Sequence, residues 1–314
     1  MMDILNVKNK EKLKKIILGN GEEMGILEKI LLYSLLFAIG FVFLYPIFVM
    51  LSTSMKSVYD IANPLVNWIP MGFNAENYIR AFKVLGGFKT IYVTVGSMTL
   101  IAVAQTSSSA VIAYGFAKYD FPLKKVFFAI MLATFILPDQ VTFLPKYIMF
   151  NSYGMRETIL PFLLPSALGQ GIKNAIFILI FYQFFKMMPK ALDEAAAIDG
   201  AGHLKTFLTI DMRMATPAIV VVFIFSLVWN WNETYLADSY FGEKLVTLPL
   251  AVLRFKKFYE TMFPASAGVN PLLKLNQGII MAGTLISLIP LIIIYAIVER
   301  RLVESIDSTG ITGE

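Results

Sequence analysis

The chain has 314 residues, 57% hydrophobic and only 16% charged, with a mean hydropathy of +0.68. A soluble domain carries roughly 45–50% apolar and about 25% charged residues, so a single water-soluble core is excluded. The formal charge of +5 sits beside apolar runs and reads as orientation in a membrane, not as a nucleic-acid surface; the absence of cysteine excludes disulfides, thiolate nucleophiles and cysteine-ligated metals.

Residues 1–29 form a basic segment with Lys8, Lys10, Lys12, Lys14 and Lys15, running into the polar Asn20, Gly21, Glu22 and Glu23. The apolar run behind it is too long for a cleaved signal, and no small-residue cleavage site follows it. A membrane-crossing helix needs about 20 mostly apolar residues. Residues 30–298 are predicted to hold six, in one all-α polytopic domain. The first runs from about Ile30 to Leu51. The second, Ile91 to Ala117, carries Gln105, Thr106, Ser107, Ser108 and Ser109, which suit close helix packing. The third, Val126 to Leu144, contains Pro138. The fourth lies between Thr158 and Phe185; Pro161, Pro165, Gly169 and Gly171 confine its regular part to Ile172–Phe185. The fifth runs from Thr216 to Val228 and the sixth from Gly278 to Val298. The outer stretches 52–90 and 229–277 are expected to hold short surface helices, and 299–314 is a tail.

Basic residues near span ends set orientation. Lys118, Lys124 and Lys125 follow the second span. Lys186, Lys190, Lys205 and Arg213 follow the fourth, and Arg300 and Arg301 the sixth. With the basic amino-terminal segment they fall on one side, which places both termini in the cytoplasm. Arg254, Lys256, Lys257 and Lys274 oppose this, but they lie in a long loop, and long loops weigh less.

The connection 187–215 is the most informative. From Pro189 to Ala218 it reads PKALDEAAAIDGAGHLKTFLTIDMRMATPA. Proline suits a first helical turn, and Asp193 and Glu194 lie toward the positive end of the helix dipole. Ala195, Ala196 and Ala197 have the highest helix propensity, and Gly200 stands where a helix ends in a left-handed residue. A helix of about ten residues results, with an alanine face that another backbone can approach closely.

EAAAIDGAG resembles the EAA signature of binding-protein-dependent ABC importer permeases, with Glu194, Ala195, Ala196 and Gly200 on the matching positions. Ile210 and Pro217 continue the pattern; Met212 and Arg213 stand where Leu-Pro is usual. An ordered series extends the resemblance over nearly the whole chain: YPIFVMLSTSMKS (Tyr45–Ser57), NYIRAF (Asn77–Phe82), AYGFAKYDFPLKK (Ala113–Lys125), LPDQVTFLP (Leu137–Pro145), WNET (Trp231–Thr234) and TLPL (Thr247–Leu250). It is similar to the smaller membrane subunit of maltose-type, carbohydrate-uptake permeases.

The resemblance implies a MetI-like fold in a prokaryotic cell membrane. Glu194, Ala195, Ala196, Asp199, Gly200 and Ala201 would form the coupling helix that docks on an ATPase. The implied partners are a second homologous permease, two ATP-binding subunits, an extracytoplasmic sugar-binding protein and membrane lipid. ATP and Mg would be used by the ATPase and no cofactor held by this chain. It contains no GxxxxGK[ST] loop, serine elbow or HExxH helix, so it is read as non-enzymatic.

Two readings stay open for Trp229, Asn230, Trp231, Asn232, Glu233 and Tyr235: an aromatic belt at the membrane interface, or a sugar platform of rings and amides on the translocation path. Lys173 either snorkels to the interface or lines the path, and Asp139 and Gln140 pose the same choice. His203, the lone histidine, is expected to be exposed. The EAA segment is shared with importers of other solutes such as amino acids or peptides. An ion-coupled secondary transporter would show repeat halves and more intramembrane carboxylates, neither of which is evident.

Overall fold

The computed structural model describes residues 24–264 and 274–310, and all its regular secondary structure is helical. The basic stretch Lys8–Lys15 lies outside the described residues, as do the side chains of Asp139, Arg300 and Arg301. The chain divides into two compact units, Met1–Asn77 with Asn276–Ala282, and Tyr78–Leu275 with Gly283–Glu314.

In the first unit, helix α1 (Ile26–Ser54) has 29 residues. At 1.5 Å per residue that is roughly 43 Å, ample for a hydrocarbon core of about 30 Å. None of its most apolar stretch is buried within the chain; Phe37 and Phe43 are each 76% exposed. Such a face needs lipid or another protein against it. Short α2 (Val58–Ala62) opens with a capping box: Asp60 N–H donates to Ser57 Oγ at 3.1 Å, and Ser57 N–H to Asp60 Oδ2 at 3.0 Å. The buried Lys56 Nζ donates to the carbonyls of Val66 and Asn67, and Asn77 Nδ2 to those of Ser54 and Lys56. Two of the motifs noted above, ending at Ser57 and starting at Asn77, thus meet through backbone carbonyls.

The second unit is built around α4 (Gly87–Lys118), 32 residues long; α3 (Glu76–Val84) precedes it. Its buried positions Ser97, Met98, Ile101, Ala102, Gln105, Thr106, Ser109, Ala110 and Ala113 recur at alternating intervals of one and three residues. That interval makes a single stripe on a helix of 3.6 residues per turn. From Ala102 onward the stripe is small or polar, so neighbouring backbones come close there. Thr106 and Ser109 return their hydroxyls to the carbonyls four residues back. Against α4 pack α7 (Leu160–Ala167), α8 (Asn174–Met187) and α12 (Thr216–Asn232).

The third expected span is corrected. In place of one helix over Val126–Leu144 there are two, α5 (Lys124–Ile136) and α6 (Asp139–Ser152), bent by 98°. Proline disfavours the helical region for the residue before it, and Leu137 is extended, at φ −72°, ψ 120°. Short α9 (Lys190–Ile198), α10 (His203–Thr206), a π-helical turn (Phe207–Asp211) and α11 (Met212–Met214) fill the 187–215 connection. Beyond α12 come α13 (Thr234–Phe241), α14 (Leu248–Leu253), α15 (Phe255–Met262) and α16 (Gln277–Gly310). Among the described residues three helices, α1, α4 and the Gln277–Glu299 part of α16, are each long and apolar enough to cross a membrane. The count reaches six only if each of three bent pairs is one crossing.

Candidate functional site

Helix α9 is made by its ends. Pro189, extended at its head, supplies the N-cap without needing an N–H partner. At its tail Ala201 N–H bonds Ala196 O at 2.9 Å and Gly200 N–H bonds Ala197 O at 3.1 Å, with Gly200 at φ +75°. This is a Schellman closure, and its left-handed position is why glycine follows IleAsp here.

The helix is fastened to the end of α4. Lys118 Nζ lies 2.6 Å from Asp193 Oδ2 and 3.5 Å from Asp211 Oδ1, so one ammonium holds α9 and the π-helical turn together. The Asp211 side chain is 2% exposed. Burial holds its carboxyl above the ordinary carboxylate range and the Asp193 charge adds to this, while the Tyr114 hydroxyl and Lys118 oppose it. Aromatic rings lock the same joint: Tyr114 is 4.6 Å from Phe207 and 5.4 Å from Phe185, centroid to centroid. π-helical turns recur at functional sites, and this one aims Asp211 inward.

Of the six residues singled out in the loop, Glu194, Ala195, Asp199 and Gly200 are exposed, Ala201 is half-buried and Ala196 packs inside the chain at 4% exposure. The alanine run is therefore split, with Ala195 and Ala197 outward and Ala196 inward. Sequence reasoning missed Ile198 and Leu204, which are 87% and 70% exposed beside them. His203 is exposed as expected, its ring 5.7 Å from that of Tyr119. A recess of about 440 Å³ lies under the loop, reaching Lys118, Asp193, Gly200 and His203.

The aromatic and amide stretch is not one surface. Asn230 and Trp231 are buried, at 1% and 3% exposure. Glu233 accepts the Leu236 N–H at 2.9 Å and caps α13. Trp229 stacks on Phe177 at 5.1 Å. Asn232 and Tyr235 remain exposed, with the Tyr235 ring 5.4 Å from Phe143. Neither Asn230 nor Trp231 presents a surface to a solute here.

Asn230 instead belongs to a buried knot at Gln105, a residue the sequence suggested only for packing. Gln105 Oε1 accepts from Ser226 Oγ at 2.6 Å and Asn230 Nδ2 at 3.0 Å, and Gln105 Nε2 donates to Ile172 O at 2.7 Å. Nearby, Ser108 Oγ donates to Ser166 O and Asn174 Nδ2 to Ser109 Oγ. Gln105 thus ties α12 to the unwound segment 168–173. A Cβ on Gly171 would stand 2.6 Å from Ser166 Oγ and 2.8 Å from Gln105 Nε2, so only glycine lets the segment lie this close. Lys173, at φ +56°, heads α8, with Nζ 5.6 Å from the Phe135 ring centroid. Gln140 is exposed beside the Pro138 break.

The family model described as binding-protein-dependent transport system inner membrane component matches residues 107–307, which takes in α9, its anchors and the fifth and sixth apolar stretches. The chain belongs to this family. It is a carbohydrate-type ABC permease in its relationships: the diacetylchitobiose uptake system permease protein NgcG of Streptomyces coelicolor is 24% identical, over 87% of this chain and 86% of that protein. The melibiose/raffinose/stachyose import permease protein MelC of Bacillus subtilis is 26% identical, over 85% and 91%. In fold it is similar to a chain from the crystal structure of a bacterial ABC transporter that imports the acidic polysaccharide alginate, with TM-score 0.68, 20% identity and coverage of 87% and 95%. This permease is a multi-pass component of a cell membrane.

Proposed function

We propose that the chain forms half of the translocation path of an ATP-driven, binding-protein-dependent importer of sugars, and that α9 is the lever through which a separate ATPase moves it. The exposed Glu194–Gly200 edge, fastened to α4 by the Lys118–Asp193 ion pair, carries this reading. An element that is open outward and rigidly tied inward suits transmission of force. The carbohydrate names of relatives aligned over most of their length support the substrate class. The α9 side and both termini then face the cytoplasm, in keeping with the Lys and Arg pattern. A second, homologous permease completes the path, two ATP-binding subunits take up the loops and spend ATP with Mg, and an extracytoplasmic binding protein delivers the sugar. This chain binds no nucleotide and catalyses nothing itself.

The test is sugar uptake and ATP hydrolysis by the reconstituted transporter carrying Glu194→Arg or Gly200→Pro. Uptake should fall at least ten-fold while the permease pair still assembles. Unchanged uptake in both variants removes the coupling role.

A further inference from the structure

One ammonium serves two carboxylates at the joint under α9. Lys118 Nζ lies 2.6 Å from Asp193 Oδ2 on one side and 3.5 Å from Asp211 Oδ1 on the other. Each carboxylate also keeps one oxygen, Asp193 Oδ1 and Asp211 Oδ2, buried and without a hydrogen-bond partner. Buried polar atoms are rarely left so, and an ionised group bears the larger penalty. The joint therefore holds fewer donors than two ionised carboxylates require.

The two differ in their access to water. The Asp211 side chain is 2% exposed and that of Asp193 is 32% exposed. Tyr114, Lys118 and Asp193 line the recess of about 440 Å³ under the loop, so water reaches the ammonium that Asp211 faces. The groups acting on Asp211 are Tyr114 and Lys118 from α4 and Asp193 from α9. His203 of α10 lines the same recess. Lys186, Lys190, Glu194, Asp199, Lys205 and Arg213 on the neighbouring elements are exposed. Among the described residues Lys118 is the one cation paired with either carboxylate. Burial, reinforced by the Asp193 charge, favours the protonated form of Asp211.

We propose that Asp211 is a proton-controlled positioning residue that sets how firmly α9 is held; the proposal rests on the lever reading. With Asp211 protonated the joint is neutral and the ammonium belongs to Asp193. Loss of that proton to the water of the recess leaves two anions on one cation. Asp211 is sealed from water and cannot be solvated in place, whereas Asp193 can. Lys118 then goes to Asp211, Asp193 turns outward, and α9 loses its fastening to α4. As pH rises on the side of the loop, the lever slackens and less sugar moves per ATP.

The full chain in nanodiscs, spin-labelled at the exposed Ala195→Cys, reports the mobility of α9 by electron paramagnetic resonance from about pH 5 to pH 9. The immobilised fraction should fall at least two-fold along one titration curve, with its midpoint above the ordinary carboxylate value of about 4. Asp211→Asn should keep the low-pH line shape throughout, and Asp193→Asn should show the high-pH line shape throughout. His203→Gln should titrate as the wild type does. A wild-type line shape that ignores pH overturns the proposal, as does a titration that survives in Asp211→Asn or Asp193→Asn, or one that vanishes in His203→Gln. A flat line shape leaves the lever reading to its own uptake test. A line shape that titrates, in a transporter whose Glu194→Arg and Gly200→Pro variants still import sugar, removes the lever and with it the control assigned to Asp211.

Discussion

Lys118 Nζ and Asp193 Oδ2, 75 positions apart in the chain, stand 2.6 Å from each other and join the end of the second apolar helix to the 187–215 connection. The side chains are 13% and 32% exposed, so water only partly screens the pair. Lys118→Met and Asp193→Asn should each lower the stability of the joint by about 1–3 kcal/mol. Both should uncouple ATP hydrolysis from uptake. Lys118→Asp with Asp193→Lys should restore part of the coupling, and a double-mutant cycle on sugar moved per ATP measures it. Strict additivity of the two single substitutions would show that the contact does not transmit force.

Asp211 should behave differently. Its carboxyl is held above the ordinary range by burial, so the folded protein favours the protonated form more than the unfolded chain does. Its contribution to stability is therefore fully present below the unfolded carboxylate pKa, about 4, and is lost as pH rises through the higher folded value. Asp211→Asn mimics the protonated form. The variant should unfold at or above the wild-type temperature at pH 7–8, and the difference should shrink on acidification. Thermal unfolding across that range checks it.

Gly200 and Gly171 are predicted to differ in kind. At Gly200 an added Cβ meets nothing within 4 Å, and only the φ of +75° resists it. Gly200→Ala should cost about 1–2 kcal/mol in the α9 cap, with Gly200→Asn milder. At Gly171 the Cβ collides with Ser166 and Gln105, so Gly171→Ala should abolish the ordered segment. Limited proteolysis of the two purified variants separates the outcomes.

Gln105→Leu removes three hydrogen bonds, leaving the Ser226 hydroxyl and the Ile172 carbonyl without these partners while Asn230 Nδ2 keeps its bond to the Ser226 carbonyl. Interhelical bonds in membranes average about 0.6 kcal/mol each, so the loss should be about 2 kcal/mol. Denaturant unfolding in mixed micelles measures it.

Helix α9 was legible because its determinants are local: Pro189, the alanines and Gly200 lie within one short stretch. Its anchors were not, because Lys118 and Asp211 come from distant segments and no local pattern pairs them. The break at Pro138 was visible as a proline, but the apolar run on both sides suggested one helix; the restriction on Leu137 decides otherwise. In the stretch Trp229–Tyr235 the structure separates residues that the sequence presents together: Asn230 and Trp231 are buried, while Asn232 and Tyr235 are exposed. Ser226 and Asn230, four apart on α12, share an interior side with Leu227 and Trp231, a period that could have been read from the sequence.

The central claim is that α9 faces the cytoplasm and is gripped there by a separate motor. The chain has no cysteine, so Ala195→Cys supplies a unique thiol at an exposed position. A membrane-impermeant maleimide should label it in inverted vesicles and not in intact cells, and assembly with the ATPase subunits should protect it. Labelling from outside the cell, or equal labelling with and without the ATPase, would contradict the account.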